Sequence, residues 1–339
     1  MRHLLLLFFF IGLFNAFTFG QSITKLFEIE PAKMKVQNSL YNRIAFLDSR
    51  EDSILIGIVD IGPLKNHDAN FILKTPVEPQ LTKLLNSLTD SSAKDGKLLF
   101  QLRDFRFVEK TGTRYCYLNA ELYTKKENQY QKISFLDTVM IVKGPDASRT
   151  LTKEGNTILS DFIAKSLTLE PTEGFTYTFG DLKVMESIEK RRIPVYNTST
   201  FNDGIYDDYN AFKNQVPDRQ GIVQFGKDGS INSVKVLDSG GKKLKIKSKN
   251  IYAVIWKGRP FIATEYGYYP LEKINDNLFF TGDIKIASSA ADIATAQVGF
   301  GLIGAALASS GSQKKYDLII DHLNGKFIHL ISISVDTDQ

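Results

Sequence analysis

Nine residues constrain the fold of this chain more than any others. From Tyr115 to Tyr123, the apolar Cys116, Leu118, Ala120 and Leu122 recur at two-residue spacing, alternating with Tyr115, Tyr117, Asn119, Glu121 and Tyr123. A period of two is that of a strand with one face in a core. Cys116 is also the sole cysteine, so no intrachain disulfide can form and packing must hold the fold. The thiol reads as a small hydrophobe in the sheet, because a nucleophilic thiolate wants a base beside it. The spacing brings none of His67, His322 and His329 there.

Working outward from that strand, a mixed pattern emerges between Leu26 and Leu169. A strand is predicted at 54–61, followed by a helix whose Leu81, Leu84, Leu85 and Leu88 fall at i, i+3, i+4 and i+7. In a strand at 98–108, Leu98, Phe100 and Leu102 share one parity but Phe105 and Phe107 the other, which predicts a bulge near Arg103-Asp104. Lys110-Thr111-Gly112 turns the chain into the Cys116 strand, and a third strand runs over 130–142. A second helix with Ile158, Leu159, Phe162 and Ile163 as its apolar stripe closes the unit. Helices on one side of a mostly antiparallel sheet make an α+β domain.

Composition sets outer limits. With 339 residues, two domains are expected, and 43% hydrophobic against 24% charged residues is ordinary for a chain that buries a core. That excludes a disordered tail, a collagen-like rod and a polytopic membrane protein. Forty-two basic and 38 acidic residues give +4, too close to balance for the chain as a whole to be drawn to nucleic acid by charge.

At the N-terminus, Arg2 and His3 precede an apolar run from Leu4 to Phe14, with Thr18 and Gly20 before Gln21. This is the pattern of a secretory signal peptide spanning 1–20, its apolar run too short for a transmembrane helix of about 20 residues. The expectation is an exported protein of the periplasm or outer-membrane surface, beginning at Gln21 and not lipidated, since no cysteine stands there to take a lipid. The element order, together with Phe46-Leu47-Asp48-Ser49-Arg50, resembles the small envelope domains of Gram-negative auxiliary lipoproteins, including the ABC-transport auxiliary and YajG-like groups. The resemblance covers about 140 residues and departs from those groups in lacking their lipid-bearing cysteine. It implies a non-catalytic module that docks to envelope partners.

The second half, from about Phe175, is mostly strand. Ile193-Pro194-Val195-Tyr196 enters it, and a short helix is predicted after a cap at Asp203, with Tyr206, Tyr209 and Phe212 on one side and Pro217 as its stop. Lys227-Asp228-Gly229, Asp238-Ser239-Gly240-Gly241, Lys257-Gly258-Arg259-Pro260 and Asn324-Gly325 punctuate a meander, giving an antiparallel sheet or roll. A Gly/Ala-rich segment at 290–311 precedes the last hairpin. The whole chain is similar to uncharacterised exported envelope proteins of Gram-negative bacteria that end the same way.

Two motifs imitate enzymes. Gly299-Phe300-Gly301-Leu302-Ile303-Gly304 spells the dinucleotide fingerprint, with Asp321 22 residues beyond Gly299. Yet the residues before it are alanine-rich rather than strand-like, and too little chain follows for further βα units. Ser91-Ser92-Ala93-Lys94, Lys110-Thr111-Gly112 and Ser230-Ile231-Asn232 hold the elements of serine penicillin-binding enzymes in the wrong order. No zinc-binding His-Glu-x-x-His, nucleophile elbow or EF-hand loop occurs. No catalytic residue, cofactor site or metal site is therefore assigned.

Two segments stand out as interaction candidates. Lys243, Lys245, Lys247 and Lys249 alternate with Leu244 and Ile246, which places four lysines on one face of a strand, beside Lys242. They either meet lipid phosphate or acidic polysaccharide, or guard a sheet edge against aggregation. Gly299, Gly301 and Gly304 lie in an uncharged run over 293–308 that suits a close-packed core helix, a self-associating or membrane-associated glycine zipper, or a loop. The fold expected is α+β: an N-terminal mixed sheet with two helices over 21–170, then a mainly antiparallel β domain over 175–339 with an inserted Gly/Ala-rich helix. The function expected is an exported envelope interaction module docking to an envelope protein or membrane surface. The alternatives are a hydrolase of envelope glycans or peptides, and a membrane-associating oligomer built on the glycines.

Overall fold

A computed structural model describes residues 23–50, 52–61, 67–110, 113–143, 147–171, 174–237, 239–284 and 316–330. The signal segment 1–20 and the Gly/Ala-rich segment 290–311, with Gly299, Gly301 and Gly304, lie outside the described residues. The architecture is α+β, with one large mixed sheet, six helices among the described residues, and smaller antiparallel sheets.

The large sheet is organised around three long strands, β5 (Gly96–Lys110), β6 (Thr113–Lys126) and β7 (Gln129–Lys143), paired antiparallel in sequence order. Two further strands lie end to end along the other edge of β5: β2 (Tyr41–Asp48) runs parallel to Gly96–Leu102, and β3 (Leu55–Ile61) meets it at Gly57 opposite Phe107. A side chain at Gly57 would strike the Phe107 carbonyl oxygen, its Cβ only 2.2 Å away, and the φ of +154° is one that glycine adopts without strain. Strand β4 (His67–Leu73) pairs antiparallel with β3, and β1 (Ile23–Phe27) runs parallel to β4 at the edge. At the opposite edge β7 takes on β8 (Thr176–Tyr177).

The expected bulge is present, with the β5–β6 register shifting between Leu102 and Asp104. It reverses the parity of the strand, so Leu98, Phe100 and Leu102 before it and Phe105 and Phe107 after it all enter one core. Helices α1 (Val77–Leu88) and α2 (Ala147–Ser166) cover that face. Leu81, Leu84, Leu85 and Leu88 are all fully buried, as their spacing requires. Phe27, Phe71, Phe105 and Phe107 meet edge to face under the helices, with centroids 4.7 Å apart for Phe27–Phe105 and 4.8 Å for Phe71–Phe107. Cys116, Leu118, Ala120 and Leu122 complete this core.

The chain then forms four short helices. Helix α3 (Phe179–Lys183) opens with a reciprocal capping box between Thr178 and Asp181, and α4 (Met185–Lys190) follows it directly. Ile193–Tyr196, read as an entry into strand, is instead a single helical turn, α5 (Pro194–Asn197), because proline at the first position of a helix has its φ already set. The helix expected after Asp203 is also displaced. Residues Gly204–Tyr206 form β9, and α6 (Tyr209–Asn214) is capped by Asp208, whose carboxylate accepts from the Ala211 amide at 2.8 Å. Asp203 instead accepts from the amides of Lys257 and Gly258 at 2.9 and 2.8 Å, closing the turn there. Both turn residues have positive φ, the backbone of a tight hairpin.

Among the described residues, the rest is three antiparallel sheets rather than one. Strands β10 (Ile222–Phe225), β11 (Ile231–Leu237) and β12 (Lys243–Ile246) form the first. In the second, β9 pairs with β13 (Ala253–Trp256), which continues through β14 (Arg259–Thr264) to β15 (Gly267–Pro270). The third comprises β16 (Glu272–Ile274), β17 (Asn277–Gly282), β18 (Tyr316–Ile320) and β19 (Phe327–His329). Tyr206, Tyr209, Phe212, Tyr252, Phe280 and Leu318 belong to the core beneath the latter two. Val223, Val234, Val254 and Phe261 pack under the first.

Candidate functional site

The face of the large sheet opposite α1 and α2 is not left to solvent. It meets α3, α4 and the β18–β19 hairpin, and the alternate residues of β5 and β6 form the contact. Three zones follow one another along the strands. At one end Leu47, Leu99, Tyr123, Leu182 and Met185 make a small apolar cluster. At the other, Val108, Tyr115 and Tyr117 pack with Ile328, and Tyr117 Oη shares a 2.7 Å hydrogen bond with His329 Nδ1.

Between them lies a lattice of charge. The Arg103 guanidinium, on the same side as Leu99 and Gln101 and joined there by Asp104 because of the bulge, grips Glu189 of α4 through two bonds of 3.0 and 2.6 Å and reaches Glu121 of β6 at 3.3 Å. Lys132 adds a 2.6 Å bond to Glu121, Tyr123 Oη donates to the same carboxylate, and His322 Nε2–H donates to Glu189 at 2.9 Å. Burial alone would raise the Glu189 pKa, but the bonds from His322 and Arg103 outweigh it and hold the carboxyl down at about 2. Alongside, Arg106 clamps Asp104 at 2.6 and 2.7 Å, while Lys326 at 3.0 Å and Asn324 bind Asp137. Burial raises the carboxyl pKa values of Asp104 and Asp321, and the negative charge of Asp137 raises both further. Asp104, Asp137, Asp321 and Lys326 line a cavity of about 20 Å³, room for one water. A second cavity, of about 10 Å³, lies among Ile58, Val59, Phe71, Phe107 and Leu151.

Chemically, the lattice joins the sheet to the second half of the chain. Its members bind one another, and among the described residues no group of three His, Cys, Asp or Glu side chains is arranged to hold a metal ion. Sequence reading missed it, because Glu121, Glu189 and His322 are far apart in the chain. The one local signal was the bulge, which predicts that two successive polar residues, Arg103 and Asp104, lie together where the parity changes. Cys116 lies on the opposite side of the sheet from His322 and His329, fully buried, and burial drives its thiol pKa well up.

The lysine segment is placed differently from expectation. Strand β12 ends at Ile246, after which Ser248–Asn250 form a 3₁₀ turn that delivers the buried Ile251 and Tyr252 to the core. Only Lys243 and Lys245 therefore share a strand face. Lys247 sits at the start of the turn and Lys249 within it. Among the described residues β12 pairs only with β11, so it is an edge strand, and Lys243 and Lys245 stand on that edge. Lys235, which the sequence did not single out, stands directly opposite Lys245 on β11.

No protein-family model matches this chain, and no curated protein does. A solved crystal structure of an uncharacterized protein is similar over 41% of this chain and 100% of its own, at 16% identity and a TM-score of 0.24. A likeness at that level carries no argument about fold or activity. Among the described residues, no helix is long and apolar enough to cross a membrane.

Proposed function

We propose that this chain is an exported, non-catalytic module of the Gram-negative cell envelope that works by docking to a partner there. The observation that carries the reading is the disposition of charge. The buried ionisable groups of the seam pair with one another, while exposed lysines concentrate on the β10–β12 sheet, outside both cores. A local concentration of positive charge on one sheet is suited to docking onto an anionic partner. The leader-like residues 2–20 and the resemblance to envelope domains support the compartment.

The test is fractionation of the native host combined with photocrosslinking from exposed positions, among them Phe135 and Phe175 and the lysines of β12. Recovery in the envelope fraction with a discrete crosslinked species is the expected outcome. A cytoplasmic protein, or a freely soluble periplasmic one that yields no crosslink from any position, would sink the proposal.

A further inference from the structure

The chain's charge is unevenly distributed. Between Gly221 and Pro260 stand nine lysines and arginines against two aspartates, a balance of +7. The remaining residues hold 33 bases against 36 acids, a balance of −3. The near-neutral total therefore conceals one strongly basic segment, which comprises the β10–β12 sheet with its turns and the β13–β14 hairpin that carries Lys257 and Arg259.

The sheet has two unlike faces. Val223, Val234, Val236 and Ile246 turn inward to the core. The other face carries Lys235, Leu237, Lys243 and Lys245, with Gln224 and Ser233 beyond them and Lys247 at its margin, and none of these side chains is a carboxylate. Guarding an edge accounts for Lys243 and Lys245 but not for Lys235, which sits on the central strand. Directly opposite Lys245, it costs stability through like-charge repulsion. Such a cost is recovered when an anionic partner covers the face. Leu237 stands among these lysines, directly opposite Lys243, at 57% exposure. A polyanion made of sugars has no use for this leucine, whereas a bilayer buries apolar side chains at its interface while its phosphates meet the lysines.

We propose that the Lys235, Lys243, Lys245 and Lys247 face of the β10–β12 sheet docks onto an anionic lipid surface, with Leu237 entering the interface. The proposal rests on the docking function above and names its partner. Each lysine near an anionic leaflet strengthens binding about fivefold, so replacing all four weakens it on the order of several hundred-fold.

The experiment is cosedimentation of the protein, purified from its native host, with phosphatidylglycerol/phosphatidylcholine vesicles and with vesicles of phosphatidylcholine alone. Binding to the first and not the second is expected, falling steeply as NaCl rises from 50 to 500 mM over a range where screening tightens. The quadruple variant K235Q/K243Q/K245Q/K247Q, checked for an unchanged thermal transition, loses that binding, and Leu237→Ser weakens it several-fold. If the quadruple variant fails to fold, the salt titration and Leu237→Ser decide alone. Absence of binding to the anionic vesicles, or equal binding by the folded quadruple variant, overturns the proposal. So does retention on alginate that ignores Leu237→Ser in a protein that does not bind vesicles. A crosslinked protein partner in cells with no vesicle binding would remove the lipid surface and leave the docking function standing. Failure of both experiments would remove both.

Discussion

The two faces of β6 are built from residues one position apart, and they hold the molecule together by different physics. On one face Cys116, Leu118, Ala120 and Leu122 lie fully buried under α1 and α2 in an all-apolar core. On the other, Tyr117, Glu121 and Tyr123 are also buried, but in a seam where Tyr117 bonds to His329 and Glu121 gathers Arg103, Lys132 and the Tyr123 hydroxyl. The apolar face gains stability from area removed from water, which is indifferent to direction and to pH. The ionic face offsets the cost of desolvating its charges only while every partner is in place. The first face is therefore tolerant and additive, and the second is cooperative and titratable.

The largest expected effect breaks the ionic face. Arg103→Ala removes the cation that Glu121 and Glu189 share and leaves two carboxylates in the seam, which should cost about 4 kcal/mol of unfolding free energy in urea at pH 7. That loss should shrink on acidification, as the stranded carboxylates take up protons. A cost that stays constant with pH would show that packing, not charge, is what Arg103 supplies. The counterpart on the other face is Leu122→Ala, expected to cost about 3 kcal/mol through lost burial and the cavity left behind. Its loss should be the same at every pH where the protein folds.

The acid limb sharpens the contrast. Glu189 ionises in the folded protein at about 2, below its ordinary 4.5, so the stability it contributes is present above about 4.5 and is lost as the pH falls toward 2. The shift amounts to on the order of 3 kcal/mol. Asp104 and Asp321 act in the opposite sense. Their raised pKa values mean that protonation favours the fold, so their contribution is full below the ordinary 3.8 and is lost as the pH rises through the raised values. Urea titrations from pH 6 to pH 2 should therefore show a steep acid loss in the wild type and a shallower or reversed slope in Glu189→Gln. Coincident slopes would refute the role given to Glu189.

The smallest effect belongs to Cys116→Ala, about 1 kcal/mol, because little volume is removed from a core that otherwise keeps its contacts. Its thiol should resist a thiol reagent in the native protein and react once denatured. Rapid native labelling would mean that the helix-covered face opens more readily than its packing implies.

Much of the architecture can be read in the chain because it depends on neighbours. Period-two spacing in β6, period-3.6 spacing in α1, the parity break at the bulge of β5 and the glycine turns at Gly258 and Gly325 are all fixed by residues a few positions apart. Local competition explains the misplacements as well. Asp203 and Asp208 are both good helix caps, and which one caps α6 depended on Asp203 finding the amides of Lys257 and Gly258 across the fold. The lysine alternation continues past Ile246 in sequence, yet the strand stops there because Ile251 and Tyr252 must reach the core.

What the sequence determined by itself is that β6 has an apolar face. That follows from alternation alone, since Cys116, Leu118, Ala120 and Leu122 must leave water wherever the strand ends up. What only the tertiary structure decided is the fate of the other face. Tyr117, Glu121 and Tyr123 would suit solvent as well as a seam, and nothing within the strand tells the two apart. Their burial depends on Glu189, His322 and His329, which lie 66 or more positions away. A charge is stable out of water only when its partner arrives with the right geometry, and such partners are brought together by folding rather than by spacing along the chain.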